Sequence, residues 1–192
     1  SAPLFGVLIS IVFFFSPFDE ISNQYSHLAI GVIHLFTLGI LSMIIFGAMQ
    51  QMMPVLAGAI LKKPRLFANI VHPSLVLGTL SMSFSFIFEI KMLLHIGVLF
   101  LTISFLTFFI FSIKLLFKVE FLTSTVKAMR LFSLAGFITL ILGLYLAIAH
   151  ISSNIGEQHY VFVNMHILFA LFGFALLIIM GVSFQVIPMF YV

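Results

Sequence analysis

The chain has 192 residues, 63% of them hydrophobic and only 7% charged, with a mean hydropathy of +1.34. A soluble domain of this size needs far more polar surface, so the composition specifies an all-α, polytopic transmembrane helical bundle in a lipid bilayer. The net charge of +3 sits in short loops, where it sets topology rather than nucleic-acid affinity, and the absence of Cys excludes disulfides, thiolate metal ligands and iron–sulfur clusters.

A spanning helix needs about 20 apolar residues. Six segments approach or exceed that, at about 2–17, 26–60, 66–88, 92–117, 128–151 and 160–191, within a single transmembrane domain covering 1–192. The first is short, and over 4–15 it lacks the basic flank and small-residue cleavage site of a signal peptide. The second is long and is predicted to kink or end near Pro54. The last runs through Pro188 to Val192 with no polar tail, so the chain reads as the N-terminal part of a longer protein.

Loop charges set the orientation. Lys62, Lys63 and Arg65 follow the second segment, and Lys114, Lys118, Lys127 and Arg130 surround the loop after the fourth. The alternate loops hold Asp19, Glu20, Glu89 and Glu157, with Lys91 as their single base. The positive-inside rule makes the basic side cytoplasmic, with both chain ends there, in a bacterial inner membrane. His27, His34, His95, His150, His159 and His166 then fall toward the outer side, and only His72 toward the inner.

Two of the segments carry one signature. The second reads His27-x6-His34, twelve residues, then Gly47-x3-Gln51-x2-Pro54; the sixth reads His159-x6-His166, fourteen residues, then Gly181-x3-Gln185-x2-Pro188. Histidine inside a membrane helix is a functional hypothesis by default. Seven residues of helix bring both members of a pair to one face, about 10 Å apart along the axis. That is too far for one small ion with bonds of about 2 Å. Each pair therefore offers two levels, or one ligand with a supporting group, and a bis-His haem would take one His from each helix.

The sharper and plainer readings divide by residue. His72, His95 and His150 sit where a histidine usually snorkels to the interface or bonds a carbonyl. His27 and His159, near the surface, suit either role, while His34 and His166, about 10 Å inside their helices, favour the ligand. For Gly47, Gln51, Gly181 and Gln185 the favoured role is helix packing, with a proton or water path through Gln51 and Gln185 as the sharper alternative. The methionines suit core filling better than copper binding.

The offset of about 130 residues pairs segment two with six and implies a four-helix repeating unit. In this, and in His34-Leu-Phe-Thr-Leu-Gly39 followed by Gly47-Ala-Met-Gln-Gln51-Met-Met-Pro54, the chain resembles subunit I of the haem-copper oxidase superfamily, in particular its divergent members. NnrS-type haem- and copper-containing proteins are a more distant likeness. The resemblance implies three arcs of four helices about a pseudo-threefold axis. It matches His27 or His34 to the helix giving the low-spin haem ligand, and His159 or His166 to one giving a copper ligand. Helix six has His166-Ile-Leu-Phe-Ala where the oxidases have His-Pro-Glu-Val-Tyr, and the adjacent His-His pair and the later ligand helix are outside this sequence.

The resulting expectation is a b-type haem-binding membrane protein for electron transfer or diatomic-gas handling, with copper as a second candidate cofactor. Its candidate ligands are His34, His166, His27 and His159, with His150 added for a metal. A haem-dependent oxidoreductase is compatible with this, although the chain alone lacks the complete oxidase pattern. The alternative is a copper or zinc transport or homeostasis protein using the outer histidines. Expected partners are the bilayer, a periplasmic electron donor or a further membrane subunit, and self-association is compatible.

Overall fold

The structure is a computed structural model that describes residues 1–23, 25–154 and 156–191. Among them there is no strand, and there are seven helices: α1 (Ala2–Phe15), α2 (Phe18–Ser22), α3 (His27–Ala57), α4 (Pro64–Phe88), α5 (Lys91–Leu116), α6 (Ser124–Ile151) and α7 (His159–Met189). Five of these, α3 to α7, are long and apolar enough to cross a membrane. α1 is apolar but has 14 residues, about 21 Å of helix, short of a hydrocarbon core of about 30 Å.

The helix count is seven rather than the expected six. The addition is α2, five residues that no hydropathy window resolves. Pro17, extended at φ −62°, precedes it, and Asp19 and Glu20 occupy its first turn, where carboxylates suit the helix dipole. α3 does not stop at Pro54 but continues to Ala57 and ends at Gly58, which takes φ +64°. α4 and α6 end in the same left-handed way on residues that rarely adopt it, Glu89 (φ 56°) and Ser153 (φ 54°). The Ile90 N–H to Ser85 C=O and Asn154 N–H to Ala149 C=O bonds, 3.0 and 3.1 Å, close these caps. Val192, at which the expectation of a continuing chain was drawn, lies outside the described residues.

Both signature helices change winding partway. α3 is π-helical over Thr37–Ser42 and α7 over Phe169–Leu176. Such wide turns are rare and frequently accompany functional sites.

The chain divides into two compact units, Ser1–Phe46 with Ala68–Ser104, and Gly47–Phe67 with Phe105–Val192. In the first, α4 and α5 approach until backbone meets side chain. A Cβ on Gly97 would stand 2.7 Å from the Met82 N, and one on Gly78 would stand 2.8 Å from the Leu101 N. Ser104 Oγ donates across the same contact to the Val71 carbonyl at 2.9 Å. Small residues let membrane helices gain close van der Waals contact where no hydrophobic driving force exists between them.

In the second unit α6 and α7 form an antiparallel pair in constant register. Gly181 lies on Ala128, Gly173 on Ala135, and Gly143 against His166. Thr125 Oγ1 donates to the Gly181 carbonyl at 2.9 Å, fixing the deep end of the pair. Beside it the buried rings of Phe108, Phe109, Phe132 and Phe174 pack largely edge to face, Phe132 and Phe174 being stacked with centroids 5.0 Å apart. These four are among the 26 phenylalanines that stand out in the composition.

Candidate functional site

Ser26 starts α3. Its side chain accepts from the Ala29 amide at 3.0 Å, which makes His27 the first helical residue and puts His34 two turns inside. His27 Nδ1 lies 3.0 Å from Glu89 Oε1, with the two side chains 44% and 74% exposed. His34 Nδ1 lies 2.8 Å from the Ile30 carbonyl one turn back. A carbonyl only accepts, so Nδ1 carries the proton and Nε2 keeps its lone pair.

The buried ring of Phe86, from α4, stands beside both imidazoles. Its centroid is 6.2 Å from that of His27, tilted at 56°, and 6.2 Å from that of His34, nearly parallel at 16°. The pair is therefore two separate levels with an aromatic ring alongside, as the axial spacing requires.

In the other unit His166 makes the corresponding bond differently. Its Nδ1–H donates across helices to the Thr139 carbonyl of α6 at 3.1 Å, again leaving the lone pair on Nε2. The ring reaches that carbonyl because Gly143 has no side chain; a Cβ there would stand 3.0 Å from His166 Cε1. His159 begins α7, and its Nδ1 is buried with no hydrogen-bond partner among the described residues. His150 lies in the last turn of α6. His95 Nδ1–H donates to the Lys91 carbonyl at 3.0 Å, the interfacial behaviour expected of it, and His72 Nε2 is 3.4 Å from Ser1 Oγ.

Among the described residues no three His, Cys, Asp or Glu side chains are grouped so as to hold a metal ion. His34 and His166 belong to different units.

The repeat is carried further by the backbone than by the motif. In both helices the π segment begins three residues after the inner His, and α-winding resumes four residues before the Gly. The π segments have six and eight residues, so they contain the whole two-residue difference between the copies. The Gly-x3-Gln-x2-Pro elements, by contrast, meet unlike surroundings. Gly181 is buried against Ala128, whereas Gly47 has nothing within 4 Å of the position a Cβ would take. Gln51 is exposed and Gln185 half-buried, and neither amide makes a hydrogen bond among the described residues. The packing role expected of both copies is realised by Gly181.

Four contributors had no signature of their own in the sequence: Phe86, Glu89, Thr139 and Gly143. Glu89 had the nearest to one, as the carboxylate that directly follows the C-terminal end of α4. No family model, curated protein or solved structure matches the chain.

Proposed function

We propose that the chain is a multi-pass inner-membrane protein that binds b-type haem through an outer-half imidazole, with His34 and His166 as candidate ligands, each within its own unit. The observation that carries this is the treatment common to both residues. Each inner histidine of the repeat has Nδ1–H tied to a backbone carbonyl, keeps the lone pair on Nε2, and precedes a π segment by three residues. A carbonyl bond to the far ring nitrogen is how ligating histidines are held in one tautomer and made more basic.

The donor set fits an iron porphyrin, which asks the protein for one or two imidazoles. It fits a bound copper or zinc ion poorly, since that needs three or four converging ligands and the described residues hold no such group. Haem would supply a one-electron centre or a site for a diatomic gas. The chain's own part is to fix the imidazole. Ile30 holds the His34 ring at Nδ1, and Phe86 limits its rotation and presents apolar surface. His27 and Glu89 form a polar pair at the mouth. The topology that goes with this reading has the basic loops and the N-terminus on the cytoplasmic side, so that the histidine level faces a periplasmic electron donor or a further subunit.

The test is haem content per chain after expression in haem-replete cells, for wild type and for His34→Ala, His166→Ala and His95→Ala, with circular dichroism as the check on folding. Wild type and His95→Ala retain haem, while His34→Ala loses it with helicity intact. Full haem retention in a folded His34→Ala protein removes that residue from the ligand set.

A further inference from the structure

At the basic end of the second unit an open groove of about 540 Å³ is lined by Ala57, Ala59, Ile60, Leu115, Val119 and Phe121, together with Lys62, Lys118 and Glu120. We propose that it binds the phosphate of an anionic phosphodiester lipid.

Its charge is uncommitted. Neither Lys62 nor Lys118 makes an ion pair among the described residues, and both are exposed. The two ammonium groups against the single Glu120 carboxylate leave an excess of one positive charge, the complement of a monoanionic phosphodiester. Glu120 is placed to accept from a headgroup hydroxyl.

The backbone adds donors. The amides of Ile60, Glu120 and Phe121 make no backbone hydrogen bond among the described residues, and unpaired amides in turns favour anions. Gly58 at φ +64° turns the chain off α3 so that Ala59 and Ile60 form one wall.

The opposite wall is held by a cation that is not a ligand. Arg130 Nε and Nη2 donate to the Leu116 and Val119 carbonyls at 3.0 and 2.7 Å, and the guanidinium lies 4.8 Å above the Phe117 ring. Arg130 thereby fixes the turn after α5 and leaves the anion to the lysines. Phe121 and Ile60, 82% and 71% exposed, offer the apolar margin along which acyl chains would run. Basic pockets between membrane helices, at the level where the helices end, are where lipid headgroups are held.

Native mass spectrometry of the full chain in detergent tests this, with phosphatidylglycerol, phosphatidylcholine and inorganic phosphate as the three probes. Phosphatidylglycerol is expected to remain bound, while the other two do not. Removing two basic groups at a membrane surface predicts binding weaker by roughly tenfold or more in Lys62→Gln/Lys118→Gln. Lys114→Gln/Lys127→Gln, equal in charge but off the groove, is expected to bind as wild type does. Equal weakening by both double variants overturns the proposal, because the effect is then diffuse charge. Equal binding of phosphatidylcholine, or of inorganic phosphate, overturns it as well, since the site then does not select an anionic lipid.

Discussion

At the scale of single residues, His34 and His166 face one chemical question and answer it from different sides. His34 turns its Nδ1–H back on its own helix, whereas His166 needs a neighbour, the Thr139 carbonyl, and a neighbour's missing side chain, Gly143. The second arrangement is the more fragile. In Gly143→Ala the new methyl would stand 3.0 Å from His166 Cε1, so the ring must move and its bond to Thr139 must lengthen. Overpacking of this kind costs about 1–3 kcal/mol. The expected outcome is a lower unfolding temperature in detergent, together with a changed haem spectrum if His166 is a ligand; an unaltered unfolding temperature would show that the contact is slack. The two histidines were legible in the sequence because their spacing repeats. Gly143, Thr139 and Phe86 were not, because each acts from another helix and a single sequence carries no contact partners.

At the scale of elements, α3 and α7 share a residue spacing and a winding pattern, while their Gly-x3-Gln-x2-Pro ends meet unlike surroundings. Gly47 and Gly181 occupy the same motif position and make opposite predictions. Gly47→Ala adds a methyl to open space and removes a flexible residue from a helix interior, so it is neutral or stabilising by about 0.5–1 kcal/mol. Gly181→Val drives two methyls toward Ala128 and is expected to cost about 1–3 kcal/mol by separating α6 from α7. Thermal unfolding of the two variants side by side checks this, and equal effects would contradict it. The long helices were legible because 20 or more apolar residues have few other fates in a membrane protein. α2 was too short for any such signal. The π segments are a change of hydrogen-bond register, which hydropathy does not record; their one trace in the sequence was the two-residue difference between the repeats.

At the scale of the whole molecule, charge is sorted between the units. The first holds Lys91 with Asp19, Glu20 and Glu89, and the second holds the other seven basic residues with Glu120 and Glu157. The second unit thus carries the lysines of the proposed lipid site. Class and helix content followed from composition, whereas the proposed cofactor chemistry rests on two imidazoles and the winding around them. The central claim is that this is a haem protein. The measurement that tests it most directly is a dithionite-reduced minus oxidised visible spectrum of the chain purified from haem-replete cells, followed by carbon monoxide. The account predicts a b-type α-band. Insensitivity to carbon monoxide would mark six-coordinate iron and electron transfer, and a shift would mark an open position for gas. A spectrum with no haem band would contradict the account.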